Sequence, residues 1–157
     1  MDRVGMFGQL SGASVGILTS AVDPRIKVLD MFDPWGDWPT WMEKSPFVPK
    51  EERGDYVKTE FLSKVASLEP LEWIPKVQAK KFRLQQRIFE TETPLASKEK
   101  LQAAVPQGTT VVMYKSGVAF ADAAGNKGEK TLDWIKGELR ALPPSAPDST
   151  VSANKTN

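Results

Sequence analysis

The hydrophobic pattern of the chain alternates between short apolar runs and longer stretches with helical spacing. Residues 3–9 form a short apolar run, and the apolar positions within 13–22 cover more than one face of a helix. After a loop at Asp23-Pro24, a nearly continuous apolar run covers residues 26–31. Such a run is typical of a strand inside a parallel sheet, which is buried on both faces. The order strand, helix, strand predicts a βαβ unit.

The second half of the chain repeats this alternation. The segment KFRLQQRIF (81–89) predicts a third strand. Thr93 followed by Pro94 is a typical helix start, with threonine as the N-cap and proline at the first helical position. The β-branched run TTVVMY (109–114) predicts a fourth strand. Four strands alternating with helices predict an α/β fold with a short parallel sheet flanked by helices.

The segments outside this alternation differ in composition. Residues 33–75 are rich in tryptophan and proline and predict a lid-like, aromatic-rich insertion within one domain, residues 1–142. Residues 115–130 are rich in glycine and alanine and predict a loop, and a last helix is expected from about Thr131. Its apolar residues recur at helical spacing: Leu132, Ile135, Leu139 and Leu142. The polar, proline-containing segment 143–157 predicts a disordered tail.

Composition and charge exclude several classes of function. The 157 residues fit one domain, and 21 Lys+Arg against 20 Asp+Glu give a net charge of +1. A nearly neutral chain has no field that makes nucleic acid or an anionic membrane its default partner. The sequence contains no cysteine and no histidine. It therefore has no disulfide, no thiolate nucleophile and no imidazole base.

The first residues are not expected to form a targeting signal. The stretch 4–22 is largely uncharged, but four glycines and several polar residues interrupt it, whereas the apolar core of a signal peptide is continuous. We find no stretch in the sequence that is long and apolar enough to span a bilayer. The sequence thus predicts a cytoplasmic protein.

In a parallel α/β sheet, ligands bind beyond the carboxyl ends of the strands. Four turns are expected to meet on that rim, at residues 9–12, 32–38, 89–94 and 116–120. Any site of this protein is therefore predicted at this rim.

These turns carry a resemblance to a known family. VGMFGQLSGASVGIL (4–18) resembles the strand, nucleophile elbow and helix of the α/β-hydrolases, in which G-x-S-x-G places a serine on a strained turn. DPRIKVLDMFDPWGDWP (23–39) resembles the next strand and the start of the lid in dienelactone-hydrolase-like and acyl-peptidase-like members, and ETETP (90–94) resembles the turn that carries the triad acid. The resemblance runs over residues 4–142 and covers the C-terminal half of the family's domain. It includes neither the earlier strands nor the loop that supplies part of the oxyanion hole.

The nucleophile motif departs from the family's pattern. With Gly8 and Gly12 as the flanking glycines, Leu10 stands at the nucleophile position and serine is displaced to Ser11. A second G-x-S-x-G, centred on Ser14, lies inside the helical pattern and is interpreted as accidental. Ser11 is the candidate nucleophile, and a simple helix N-cap is the competing interpretation.

The other triad positions are also altered. The resemblance implies that Glu90 is the acid, with Asp30 and Asp33 as alternatives, although a solvated loop carboxylate is the simpler interpretation of Glu90. The family's histidine would fall near Val118 or Ala119, neither of which transfers a proton. Without a base, a serine hydroxyl is a poor nucleophile at neutral pH.

Two other clusters are candidate binding groups. Trp35, Trp38 and Trp41 predict either a platform for a small aromatic or acyl ligand or the packing of the lid against the sheet. One basic cluster is interpreted as an exposed edge flanking the third strand: Lys76, Lys80, Lys81, Arg83 and Arg87. The aspartates Asp30, Asp33 and Asp37 do not have the spacing of an EF-hand loop, so neither a metal nor another cofactor is predicted.

The first strand has a further consequence for partners. In the family it is paired on both sides, and here one side has no partner in the predicted sheet, which invites pairing. The sequence predicts a homodimer or an N-terminal-half partner bound through this strand, and a small ester-like ligand. The function implied is a truncated ester or lactone hydrolase, inactive or very weak alone. The alternatives are half of a split serine hydrolase and a non-catalytic binding module.

Overall fold

The computed structural model describes residues 3–89 and 92–144 and contains a four-stranded parallel sheet. The strands are β1 (Val4–Gln9), β2 (Ile26–Phe32), β3 (Lys81–Arg87) and β4 (Thr110–Tyr114), in the order β1-β2-β3-β4. All four predicted strands and the parallel α/β architecture are confirmed. Within the described ranges, β1 and β4 are the two edges of the sheet.

Eight α-helices connect and flank the strands in the described ranges. They are α1 (Ser11–Val22), α2 (Trp38–Lys44), α3 (Arg53–Tyr56), α4 (Thr59–Val65), α5 (Pro70–Trp73), α6 (Leu95–Ala104), α7 (Gly117–Ala124) and α8 (Glu129–Ala141). The short helices α2 to α5 lie between β2 and β3 and form the predicted aromatic-rich insertion. None of the helices in the described part of the chain is long and apolar enough to cross a membrane.

The two faces of the sheet are covered by different helices. On one face, Gly16 of α1 packs closely against Met31 of β2, and the fully buried Ile17, Leu84 and Leu101 belong to the same core cluster. On the other face α8 packs against β1 and β2. Successive side chains of a strand point to opposite faces, so β2 contributes Leu29 and Met31 to the first core and Val28 and Asp30 to the α8 side.

The last helix, expected from about Thr131, is present and begins at Glu129. Two other local predictions were wrong. The segment predicted as a glycine- and alanine-rich loop contains helix α7. Helix α6 begins at Leu95, so the N-cap position is Pro94 and Thr93 lies one residue outside it. The Thr93 hydroxyl instead donates to the carbonyl of Pro34 at 3.4 Å, and Thr93 is fully buried.

Candidate functional site at the carboxyl ends of the strands

The first turn of the rim is strained at Leu10. Its backbone dihedrals are φ 51° and ψ −121°, a conformation that an L-residue adopts only when its surroundings enforce it. The Leu10 N–H donates to the carbonyl of Phe32 at 2.9 Å, which ties the turn to the end of β2. A methyl group on Gly8 would lie 2.6 Å from the carbonyl oxygen of Gly12, so strand and helix approach too closely for any other residue at position 8. The result is a tight strand-to-helix turn whose central residue is a leucine.

The two candidate serines occupy different environments. Ser11 is the first residue of α1 and is exposed, and the N-cap position is Leu10, so the interpretation of Ser11 as an N-cap was wrong. Ser14 is buried inside α1, where its hydroxyl bridges to the insertion: it donates to the carbonyl of Trp35 at 2.9 Å and accepts the Trp35 N–H at 2.9 Å. Ser14 therefore has a structural role, as expected for a serine within a helix.

The second turn carries a buried carboxylate, Asp33, whose two oxygens both accept hydrogen bonds. Asp33 is completely buried and has a positive φ of 47°. One of its oxygens accepts the backbone N–H of Arg87 and the Lys98 ammonium, each at 2.9 Å, and the other accepts Nε of Arg87. Arg87 continues to Glu92, with Nη2 2.6 Å from Oε2. Three segments of the rim are thus locked together by ionic hydrogen bonds.

Lys98 is an unusual member of this network because only 1% of its surface is exposed. Burial lowers the pKa of Lys98 below the usual range for lysine, and the neighbouring charge of Asp33 opposes that shift. Its ammonium also donates to the carbonyl of Arg87. Lys98 joins helix α6 to the ends of β2 and β3.

A second buried ion pair lies within strands β2 and β3, further from the rim. Asp30 and Arg83 are register partners of β2 and β3, and the guanidinium binds the carboxylate through two nitrogens, at 2.9 and 2.6 Å. Gln85 also donates to Asp30 at 2.6 Å, and the Tyr114 hydroxyl donates to Gln85 at 2.7 Å. The guanidinium lies 4.0 Å from the ring centroid of Trp134. The pair is therefore enclosed between the sheet and α8.

These contacts correct the predictions for charged residues. Arg83 and Arg87 do not form an exposed edge, because β3 is an inner strand and their side chains are only 17% and 15% exposed. Asp30 and Asp33, the alternative acids, are held by these two arginines. The third aspartate, Asp37, accepts from Lys100 at 2.7 Å, so each of the three is paired with different cations. Glu90 lies outside the described residues, and its candidate role stays a prediction.

The fourth turn begins helix α7. The Ser116 hydroxyl accepts the N–H of Ala119 and caps the helix, and Val118 is 71% exposed. Phe120 stacks on Phe32, with ring centroids 3.5 Å apart and planes 10° from parallel. The positions where the resemblance expects a histidine therefore lie on the first turn of a helix that is fixed against β2 by an aromatic contact.

The tryptophans of the insertion form one aromatic cluster. The ring centroids of Trp35 and Trp41 are 4.8 Å apart, those of Trp38 and Trp41 5.9 Å, and Phe47 lies 5.8 Å from Trp35. The indole nitrogens of Trp35 and Trp41 are buried and have no hydrogen-bond partner among the described residues. An unpaired buried N–H costs about 1–3 kcal/mol, so an acceptor at either indole nitrogen would stabilise the cluster.

Sequence reasoning located the rim but missed the groups that fill it. Lys98 and the pairing of Arg83 and Arg87 with aspartates were not predicted. A signal was present, since an aspartate inside an apolar strand must find a cation when it is buried. The spacing of Arg83 and Arg87 on one face of the next strand indicates which residues supply it.

Comparison with known proteins supports the fold. No family model matches the chain, and no curated protein matches its sequence. Among solved structures, the esterase domain of a Rhodothermus marinus protein superposes with a TM-score of 0.56 at 11% identity, over 85% of this chain and 60% of that one. The acylaminoacyl peptidase of Pyrococcus horikoshii superposes with a TM-score of 0.64 at 14% identity, over 94% of this chain and 26% of that one. The enol-lactonase of Burkholderia xenovorans superposes with a TM-score of 0.53 at 11% identity, over 87% of this chain and 66% of that one.

The similarities extend over most of this chain but only part of each neighbour. The chain spans less than two thirds of the length of each of these three proteins. Identities of 11–14% establish the fold alone. The chain has a partial α/β-hydrolase fold, in which β1, the strained turn and α1 have the order of a strand, nucleophile elbow and helix.

Proposed function

We propose that this chain is a hydrolase-fold unit that has kept the architecture of an ester- and lactone-cleaving domain without its ordinary triad chemistry. The observation that carries the proposal is Leu10. It occupies the strained residue of the strand-to-helix turn, where the hydrolase motif presents a nucleophilic hydroxyl. A leucine side chain has no atom that attacks a carbonyl carbon.

The neighbouring groups do not compensate for this loss. Ser11 is one residue further along and begins the helix, so its hydroxyl leaves the turn in a different direction from the side chain of Leu10. The sequence has no histidine to accept the serine proton, and the carboxylates of Asp30 and Asp33 are bound to arginines. Loss of the nucleophile or the base alone lowers kcat on the order of a millionfold in a serine hydrolase. The purified chain is therefore expected to be inactive or very weakly active.

Covalent capture tests whether any serine is activated. A fluorophosphonate reacts with a serine whose proton is removed by a base, and the intact mass of the protein then increases by one adduct. We expect no adduct after a long incubation, on the wild type or on Ser11→Ala. An adduct on the wild type that disappears in Ser11→Ala and persists in Ser14→Ala contradicts the proposal.

A split hydrolase is the second form that the chemistry allows. In it, Glu90 comes from this chain while a partner chain supplies the nucleophile and the base. It is supported by the solved neighbours, each of which contains a substantial stretch of polypeptide that this chain does not match. The test mixes this chain with the product of an adjacent reading frame that encodes the earlier strands. Ester hydrolysis that appears on mixing and is lost in Glu90→Ala supports the split form, and a mixture as inactive as its components removes it.

A binding role at the aromatic cluster is favoured by the unpaired indole donors of Trp35 and Trp41. Two buried N–H groups on neighbouring, tilted indole rings suit a small aromatic or acyl ligand that carries an acceptor oxygen, such as a carboxylate. Tryptophan fluorescence during titration with phenylacetate and hexanoate measures this binding. Trp41→Phe keeps an aromatic side chain and removes the indole N–H, so affinity should fall several-fold. Trp73→Phe is the matched control, because the Trp73 nitrogen already donates to the carbonyl of Ser67 at 2.8 Å. Equal affinities in both variants, or no fluorescence change, contradict the role.

A further inference from the structure

A cavity of about 310 Å³ lies between helices α2, α4 and α5 of the aromatic-rich insertion. The apolar part of its lining consists of Trp38, Pro39, Leu62, Ala66 and Leu71. The described residues that line it all belong to the insertion, so the cavity does not depend on what pairs with β1. Its volume is at the lower end of the range in which proteins bind small molecules.

One wall of this cavity is an indole ring that is held on two sides. The Trp38 Nε1 donates to the carbonyl of Leu68 at 3.2 Å, in the turn between α4 and α5. The ring also contacts Trp41, with centroids 5.9 Å apart and planes at 82°. Such a ring packs against a flat apolar group, and its face attracts a cation.

The charged residues in the described lining are all acidic: Asp37, Glu69 and Glu72. Asp37 already has a cation, because Lys100 Nζ lies 2.7 Å from its Oδ2. Glu69 is only 9% exposed, and its carboxylate accepts the backbone N–H groups of Asp37, Leu71 and Trp38. These bonds fix the Glu69 carboxylate beside the cavity, but no lysine or arginine of the described residues pairs with it.

Glu72 is the second carboxylate of the lining without a cation. It is exposed, and within residues 3–89 and 92–144 its side chain has neither an ion pair nor a hydrogen bond. The cavity therefore combines an aromatic and aliphatic wall with two carboxylates whose charge is not neutralised. Next to a low-dielectric wall, such carboxylates attract a cation more strongly than they would in water.

We propose that this cavity binds a small organic amine. The ammonium group is attracted by Glu69 and Glu72, and the apolar body packs against Trp38 and Leu71. A neutral ligand of the same shape would leave both carboxylates without a cation, and a carboxylic acid would be repelled. The proposal does not rest on the loss of catalysis, and it requires a ligand of opposite charge to the acceptor proposed for the buried indole nitrogens of the aromatic cluster.

Isothermal titration calorimetry with 2-phenylethylamine tests the site, and 2-phenylethanol serves as the neutral analogue of the same shape. The amine should bind with one-to-one stoichiometry and at least about tenfold more tightly than the alcohol, as a partly buried ion pair predicts. Glu72→Gln should weaken amine binding several-fold. Glu43→Gln is the matched control, because Glu43 is an exposed carboxylate of α2 that does not line the cavity. Since neither glutamate side chain holds another described residue, both variants should keep the fold.

A blocking variant separates binding in the cavity from general attraction to an acidic surface. Ala66→Phe adds a ring to the lining without changing the charge, and it should abolish amine binding while circular dichroism shows an unchanged fold. Equal binding of the amine and the alcohol, equal losses in Glu72→Gln and Glu43→Gln, or full amine binding by Ala66→Phe each overturns the proposal. If Ala66→Phe fails to fold, the two glutamate variants decide the question. An activated Ser11 would change none of these titrations, so this proposal and the proposed function fail independently.

Discussion

At the scale of single residues, Leu10 shows that the turn is enforced by its surroundings and not by its own preference. A positive φ at a non-glycine residue costs on the order of 1–3 kcal/mol. Leucine is among the residues least suited to this conformation, and its side chain has no reactive group for the strained turn to present. The close approach of Gly8 to Gly12 and the bond from Leu10 to Phe32 hold the backbone in place.

The strain at Leu10 predicts that glycine is more stable than alanine at position 10, the reverse of the usual order in a helix. Leu10→Gly should be more stable than Leu10→Ala by about 1 kcal/mol, because glycine adopts positive φ without steric cost. Urea unfolding followed by circular dichroism measures both variants. At Val15, in the exposed part of α1, the same pair should have the usual order, with alanine more stable by about 1 kcal/mol. Alanine more stable than glycine at both positions contradicts the strained conformation.

Lys98 predicts a pH dependence with a defined sign. Because burial lowers its pKa, the unfolded chain holds more protons than the folded chain between that lowered value and the usual value near 10.5. The unfolding free energy contributed by this group therefore rises as pH increases toward about 10.5. The stability difference between wild type and Lys98→Met should grow in favour of the wild type as the pH rises toward about 10.5. A difference that shrinks over this range would mean that Asp33 raises the lysine pKa overall.

At the scale of elements, the contact between β1 and α1 requires glycine at position 8 but not at position 12. Gly8→Ala places a methyl group 2.6 Å from a backbone oxygen and should cost more than about 2 kcal/mol, since the backbone itself must move. Gly12→Ala has open space around its methyl group and should be neutral or stabilising by up to about 1 kcal/mol. Chemical denaturation of the two variants is the measurement. Similar effects at both positions contradict the close approach.

The link between β2 and β3 depends on the buried Asp30–Arg83 pair. Arg83→Met leaves a fully buried carboxylate without its cation and should destabilise the protein by about 3 kcal/mol. The pair Arg25–Asp23 is on the surface, so Arg25→Met should change stability little. The double variant Arg83→Met/Asp30→Leu should recover part of the loss, because the unpaired carboxylate is then removed while the buried Gln85 amide loses its acceptor. A double variant no more stable than Arg83→Met would show that the unpaired carboxylate is not the cause of the loss.

The elements also show how far the sequence determines the fold. The apolar run at 26–31 was sufficient for β2, because a strand buried in a parallel sheet has few alternatives at that length. β4 lies at the edge of the sheet and is largely exposed, and it was predicted from the β-branched residues of 109–114. Helix α7 was missed because alanine and glycine dominate its segment, although Ser116 is an N-cap signal. Thr93 was placed wrongly because Pro94 itself occupies the cap position. Caps and helix ends depend on tertiary contacts, here the bond from Thr93 to Pro34.

At the scale of the whole molecule, the sequence predicted where the candidate site lies but only some of the residues that form it. The rule that ligands bind beyond the strand ends identified the rim, and the glycine register identified Leu10 as the central residue of the turn. The pairing of Asp33 with Arg87 and Lys98 was not predictable, because it depends on the register between β2 and β3 and on the docking of α6. The result is a rim whose buried charges neutralise one another.

The measurement that tests the central claim most directly is hydrolysis of a short-chain p-nitrophenyl ester by the purified chain, with Ser11→Ala and Glu90→Ala prepared in parallel. Leu10 occupies the strained turn, and the chain has no histidine. We therefore predict that the wild-type rate does not exceed the rate of either variant. A wild-type rate that is clearly higher, and that falls to background in Ser11→Ala, would show that Ser11 is an activated nucleophile and would contradict the account.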